Sequence, residues 1–331
     1  MSNEQGGPAS RILTTTSRMT AANRWDHFLA RLGVRRNDHR VSPGLYLLGN
    51  PKPDSSVFVT ANYSLSFDAL RTSLQGVDAY ILVLDTKGIN VWCAAGKGTF
   101  GTDELLKRIE VTGLADVVQH RTLILPQLGA PGVVAYEVRR RSGFNVEYGP
   151  VRAADLPEYL EEHQATPEMR QVQFPFLDRL VLVPIEFVHI LWAMAVVGVG
   201  LYFIGGLWSA GAGVAALLAG SALFPVLLPW IPTRDFSSKG FILGGLVTLP
   251  FALVHAFRGS GATDLQSIIA AVGFMLLWPP VTAFLALNFT GATTFTSRTG
   301  VRREMSTYIR PMAVSFVVGI ALSLIVPFIL R

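Results

Sequence analysis

Asn90-Val91-Trp92-Cys93-Ala94-Ala95-Gly96-Lys97 contains the only cysteine of the 331-residue chain. The run is built of small residues and follows a strand-like apolar segment. A lone thiol in that setting is a nucleophile, a single metal ligand or a buried packing residue. One cysteine excludes an intramolecular disulfide. It also excludes a zinc–thiolate or iron–sulfur cluster built from this chain alone, because those need several thiolates.

Outward from Cys93, apolar strand-like runs alternate with amphipathic stretches. Strands are predicted at 56–60, 79–85, 122–126 and 145–148, and helices at 65–75, 102–112, 132–142 and 154–162. Such alternation with short connections indicates a layered α/β domain on a mostly parallel sheet. Ligands of such sheets bind beyond the carboxyl ends of the strands. Three loops rich in small and polar residues follow those ends: Thr60–Ser64, Asp85–Gly101 and Pro126–Gly132. No GxGxxG fingerprint follows a strand, and there is no GxxxxGK[ST] pattern. Ala95-Gly96-Lys97-Gly98-Thr99 lacks the upstream glycine of a phosphate loop, and no Cys/His or Ser/His/Asp constellation stands out.

The chain changes character near residue 186. Residues 1–185 carry 20 basic and 19 acidic side chains, residues 186–331 only 8 and 4. The net charge of +5 therefore comes mostly from the second part, the first being nearly neutral, and no basic stripe marks a nucleic-acid binder. Apolar runs at 187–207, 211–231, 240–258, 266–290 and 311–330 approach the ~20 residues that cross a bilayer as a helix. An all-α transmembrane domain of about five helices is expected, with 240–258 the least secure. Polar residues 1–22 do not read as a secretory signal. With 1–186 in the cytoplasm, Arg234 and Lys239, and then Arg298, Arg302, Arg303 and Arg310, fall on the inner side, as the positive-inside rule requires. Arg258 and Arg331 fall outside. Glu186, His189 and His255 sit near span ends, where interfacial placement is a plainer reading than an ion relay. The expected division is a polar segment 1–40, an α/β domain 41–165, a linker 166–186 and a membrane domain 187–331.

The run NVWCAAGK resembles the signature of the mercury-methylating corrinoid protein family (HgcA). Val59–Tyr63 with Phe67–Arg71, Leu125–Gly132 and Tyr148–Asp155 resemble further blocks of that family, and the apolar tail with Asn288–Ser297 resembles its membrane domain. The resemblance covers about residues 40–331. It implies a Rossmann-like corrinoid-binding domain, similar to that of the corrinoid iron–sulfur protein of acetyl-CoA synthesis. The implied cofactor is a base-off cobalamin-type corrinoid, with Cys93 as lower axial ligand of cobalt on a cap helix formed by Asn90–Lys97. Ala94, Ala95 and Gly96 let that helix lie close under the ring, Trp92 packs on the sheet, Asn90 caps the helix, Lys97 meets a corrin amide or solvent, and Val91 is counted among the cofactor-binding residues. Thr60, Asn62, Gln127 and Gly129 are the expected contacts from neighbouring loops.

The implied activity is transfer of a cobalt-bound methyl group to mercury(II). A thiolate is a strong, soft donor; opposite a cobalt–carbon bond it favours departure of methyl with its bonding electrons, which an electrophilic acceptor requires. With its one thiol on cobalt, the chain needs a partner for electrons and mercury delivery, expected to be a small ferredoxin-like protein with two [4Fe-4S] clusters and extra cysteines. A methyltetrahydrofolate-type system is the expected methyl donor. A corrinoid carrier for another metal, metalloid or one-carbon metabolite remains an alternative, as does a membrane transporter with a cytoplasmic α/β domain.

Overall fold

A computed structural model of the chain describes residues 12–35, 38–257, 264–290 and 298–329. The chain divides into two compact units, 1–173 and 174–331.

The first unit is a three-layer α/β domain. Its strands are β1 (Leu13–Thr15), β2 (Gly44–Leu48), β3 (Val57–Ala61), β4 (Ala79–Leu84), β5 (Thr122–Leu125) and β6 (Asn145–Tyr148), in spatial order β1-β2-β4-β3-β5-β6. β4, β3, β5 and β6 run parallel, and β2 pairs antiparallel with β4. β3 and β4 read as continuous apolar runs because both faces are covered. One face packs helices α3 (Val91–Lys97), α4 (Thr102–Thr112), α5 (Leu114–Val117) and α6 (Ala135–Ser142) over Val57, Val59, Leu82 and Leu84. The other packs α2 (Ser64–Ser73) and α7 (Leu156–Glu162) over Phe58, Ile81 and Val83. The four predicted strands and helices appear within a few residues of their expected bounds, except that α6 starts at Ala135 and a turn at Ala153–Asp155 precedes α7.

The polar segment 1–40 is more than a tail. Its described part supplies β1, which pairs with β2, and helix α1 (Ala21–Arg31). Residues beyond 165 also return to the domain: Ala165 and Met169 are buried in its second core, and Val151 donates to the Met169 carbonyl at 2.8 Å.

Polar pairs mount α1. The Arg71 guanidinium donates to Asp68 Oδ1 (2.6 Å), to the Arg18 carbonyl (2.7 Å) and to the Thr16 carbonyl, while His27 Nε2 lies 2.8 Å from Asp68 Oδ2. His39 Nδ1 faces Asp26 Oδ1 at 2.7 Å, and its Nε2 faces the Val34 carbonyl at 2.6 Å. Both partners are acceptors, so the ring is fully bonded only as the imidazolium. Burial alone pushes Asp26 up and His39 down. The donors Ser64 and His39 reverse the first, and the acceptors Asp26 and Val34 reverse the second, leaving Asp26 below and His39 above its ordinary value. The His39 contribution is therefore complete below its unfolded value of about 6.5 and is lost as pH rises through the higher folded value. That of Asp26 is complete above its ordinary range and is lost as pH falls through the lower folded value. We expect the thermal midpoint of the first unit to decline as pH rises from about 6.5 through His39's higher folded value, and this decline to vanish in His39→Gln. An unchanged alkaline limb in that variant counts against the pair.

The second unit has four helical stretches, among the described residues, long and apolar enough to cross a membrane. The first, Phe176–Leu227, opens with α8 (Phe176–Leu180) and has 52 residues; straight, it would measure about 78 Å at ~1.5 Å per residue, against a ~30 Å hydrocarbon core. It folds back instead. Gly206, at φ 73° and ψ −169°, breaks helix α9 (Val183–Leu218), a conformation closed to most side chains. Beyond the break, Gly213 lies against Leu201 and Val197, and Leu217 packs with Ile190 and Met194. The two expected runs at 187–207 and 211–231 are thus the arms of a hairpin, continued through a π-helical turn (Ala219–Leu223) and α10 (Phe224–Leu227). The other three are α11 (Phe236–Phe257), α12 (Asp264–Phe289) and α13 (Arg298–Ile329).

A buried acid ties two of these helices. Glu304 on α13 accepts from the Phe236 and Ser237 amides (3.2 and 3.1 Å) and from the Ser237 hydroxyl (3.1 Å), capping the start of α11 from outside that helix. Glu304→Ala leaves those amides without their acceptor, at about 1–3 kcal/mol for a buried donor. We expect a lower unfolding midpoint in detergent, with Glu304→Gln retaining part of the loss. Of the Asn288–Ser297 stretch, residues 291–297 lie outside the described residues, as does Arg258; Thr290 bonds back to the Leu287 carbonyl at 2.6 Å.

Candidate functional site

The chain order places a topological switch between β3 and β5. From β3 the chain moves to β4 on one side, then crosses over β3 to reach β5 on the other. Open α/β sheets form their ligand crevice at such a point, beyond the carboxyl ends of the strands. The helix carrying Cys93 emerges from the loop after β4 and packs against β3 and the turn Gln127–Gly129 that follows β5.

The loop that launches α3 is set by Asn62, just beyond β3. Its Oδ1 accepts from the amides of Thr86 and Gly88, each at 3.0 Å, and lies 2.9 Å from the Thr86 hydroxyl. Its Nδ2 donates to Asp85 Oδ1 at 3.3 Å. Lys87 and Gly88 both have positive φ, so this turn is tight; the side-chain acceptor inside it satisfies the Gly88 amide and supplements the Leu84 carbonyl at the Thr86 amide. Asn62 is 1% exposed. It shapes the loop and presents nothing to the crevice.

Asn90 then takes an extended conformation and its Oδ1 accepts from the Cys93 amide at 2.9 Å, an N-cap. Gly98, left-handed at φ 83°, ends the helix. Seven residues do not hold a helix in water unaided; tertiary contacts hold this one. Val91, Ala94 and Ala95, spaced i, i+3, i+4, turn into the core. The opposite side carries Trp92 and Cys93, both half-buried, and exposed Gly96 and Lys97.

This orientation corrects several expectations. The Ala94 and Ala95 methyls face the domain interior, where their small size lets α3 sit on the loop after β5. A Cβ on Gly132 would come within 2.0 Å of the Phe100 carbonyl and 3.0 Å of Ala95 Cα, and one on Gly129 would lie 2.6 Å from the Phe100 ring. Gly129 therefore makes room for the fully buried Phe100 and does not face the crevice. Thr60, 3% exposed, alternates with Val59 and Ala61 and so points to the sheet face opposite α3. Trp92 keeps partial exposure and is not part of the buried core. Gln127 remains half-buried at the edge, its Oε1 accepting from Arg170 Nη1 at 3.0 Å.

Sequence reasoning missed Thr86, Phe100, Gly132 and Arg170. Asp85-Thr86-Lys87-Gly88 carries a turn composition that could have drawn attention to Thr86. Nothing local to Phe100 or Arg170 marks their long-range contacts. A cleft of about 260 Å³ at the β1–β2 edge, lined by Leu13, Pro43, Arg108 and Val111 among others, includes none of the expected site residues.

Chemically, the crevice presents one free, half-exposed thiol at the first turn of a capped helix. Among the described residues no three His, Cys, Asp or Glu side chains are grouped to hold a metal ion. A metal bound at Cys93 would have one ligand from the protein and would bring the others with it.

Comparison with known proteins places the similarity in this unit. The family model for the CO dehydrogenase/acetyl-CoA synthase delta subunit matches residues 35–159. The acetyl-CoA decarbonylase/synthase complex subunit gamma of Methanopyrus kandleri is 34% identical over 129 residues, 38% of this chain and 28% of that protein. The corresponding subunits of Archaeoglobus fulgidus and Methanocaldococcus jannaschii are each 32% identical over 130 residues, 39% of this chain and 27% and 26% of theirs. The chain thus spans little more than a quarter of these relatives, and the matched segment contains β2 to β6, α3 and Cys93.

Proposed function

We propose that the α/β unit binds a base-off cobalamin-type corrinoid, that Cys93 is the lower axial ligand of its cobalt, and that the chain is a membrane-anchored methyltransferase acting on mercury(II). The observation that carries this reading is the placement of the sole thiol, outward-facing on a capped helix at the switch point, in a segment similar to subunits of acetyl-CoA-forming complexes.

The residues present suit such a group. A corrinoid would bring most of its metal's ligands with it and would need a donor from the protein, which Cys93 would supply. Trp92, Gly96, Lys97 and the edge residue Gln127 are the members of the expected set that retain exposure, so they are the ones assigned to the ring and its amide side chains. Thr60, Asn62, Asn90, Val91, Ala94, Ala95 and Gly129 are assigned to holding the helix and its loops. When bound, a corrinoid would supply a transferable methyl group, given up with its electron pair to an electrophilic substrate such as mercury(II). The protein's part is to hold a soft, electron-rich sulfur beneath cobalt.

The single cysteine shapes the partner requirement. Mercury(II) is carried by thiolates, and the one thiol here is assigned to cobalt. Electron supply and mercury delivery therefore fall to a cysteine-rich partner, a small ferredoxin-like protein with two [4Fe-4S] clusters, and methyl supply to a methyltetrahydrofolate-type system. The basic residues near 234–239 and 298–310 support a cytoplasmic side for the α/β unit at the cell membrane.

The matched relatives favour a second reading, in which the chain carries methyl groups for a one-carbon metabolite. Two measurements separate the possibilities. The purified full chain, reconstituted with cobalamin, is expected to retain corrin absorbance; its absence overturns both corrinoid readings. With the reduced partner, methylated corrinoid and mercury(II) salt, methylmercury is expected. Corrin bands without methylmercury support the carrier.

A further inference from the structure

Helix α1 is mounted inside out. Its cap is regular: the Thr20 hydroxyl accepts from the Asn23 amide, and Asn23 Oδ1 accepts from the Thr20 amide at 3.0 Å. Its polar residues Asp26 and His27 turn toward the domain, paired with His39, Ser64 and Asp68. Helical spacing puts Ala21, Arg24, Trp25, Phe28 and Arg31 on the other side, and all five are exposed. Trp25 is 61% and Phe28 50% exposed, with rings stacked at 5.3 Å and 25°. An amphipathic helix on a soluble domain ordinarily buries its apolar face; here that face is presented outward.

The charge around it has one sign. Arg18, Arg24, Arg31 and Arg35 are exposed, and the single acid between residues 12 and 35, Asp26, is held by His39 and Ser64. Tryptophan and phenylalanine beside arginines match the interface of an anionic bilayer, where the rings enter the headgroup boundary and the guanidinium groups meet lipid phosphates. The second unit's apolar helices keep such a bilayer within reach of the same chain.

We propose that the outward face of α1 docks on an anionic lipid surface, so that the α/β unit is held to the membrane by peripheral contact as well as through the chain. The inference rests on the membrane reading of the second unit and is independent of the corrinoid chemistry.

The test uses the full chain, one copy per nanodisc, in phosphatidylcholine alone or with a third phosphatidylglycerol. A nitroxide is placed at Ala21→Cys in a Cys93→Ser background, with Glu110→Cys on exposed α4 as the aqueous control. In the anionic discs the label at 21 is expected to lose accessibility to a water-soluble nickel complex severalfold and to gain it toward oxygen, while the label at 110 stays aqueous. Trp25→Ala/Phe28→Ala and Arg24→Glu/Arg31→Glu, all surface changes, are each expected to return position 21 to water. A label at 21 that is equally aqueous in both discs overturns the proposal. So does shielding that arises only with two copies per disc or only after adding an acidic partner protein, because the face then belongs to a protein interface.

Discussion

Cys93→Ala is expected to abolish methylmercury formation, by at least about a hundredfold, since even outer-shell changes around a metal ligand cost ~10–100-fold. The fold should survive. Cys93 is half-buried, its side chain is outside the core, and the bond that caps α3 uses its amide, which alanine retains. The measurement is methylmercury produced by the full chain with its partner and methyl donor, set beside the corrin absorption spectrum of the same sample. Cys93→Thr keeps a small side chain and removes the strong donor, so it is expected to retain some corrin while losing methyl transfer. Methylation at the normal rate by Cys93→Ala would refute the thiolate-ligand mechanism, whatever the acceptor.

The second large effect is expected at Asn62, through positioning. Asn62→Ala leaves the Thr86 and Gly88 amides, both in buried residues, without their shared acceptor. The Thr86 amide keeps the Leu84 carbonyl at 3.1 Å, so the Gly88 amide is the donor left unsatisfied, at about 1–3 kcal/mol if the loop keeps its shape and less if it rearranges to reach water. Either outcome loosens the segment from which α3 starts. Hydrogen exchange on the full chain should show protection lost at residues 86–88 and at the first turn of α3, together with weaker corrinoid retention. Cys93→Ala should leave that protection intact. Unchanged exchange in Asn62→Ala would remove Asn62 from its positioning role without bearing on the thiol.

These two residues also show how the site was legible. Cys93 is visible because it is unique; the helix around it followed from the family resemblance alone, and the structure shows Asn90 capping it. Asn62 stood out as a polar residue just after a strand, but whether it faces ligand or loop depends on a turn more than twenty residues away. The facing of α3 was hidden for a different reason. Val91-Trp92-Cys93-Ala94-Ala95-Gly96 is apolar or small all round, so periodicity does not say which side is buried. The hairpin at Gly206 was legible as two runs with a break; contacts across it show that they turn back on each other.

The amino-acid sequence by itself determined the two-part organisation and the mostly parallel sheet, and singled out the thiol on which the proposed chemistry rests. Continuous apolar runs, a change in charge density and a solitary thiol are local properties, and they survive without knowledge of any contact. Tertiary structure alone decided orientation. Ala94, Ala95 and Gly129 face inward because Phe100 and Gly132 close against them, leaving Cys93, Trp92, Gly96 and Lys97 outward. Helix α1 shows its aromatic side because Asp26 and His27 find partners on distant segments. Both outcomes are set by pairings between residues far apart in the chain, which no local pattern encodes.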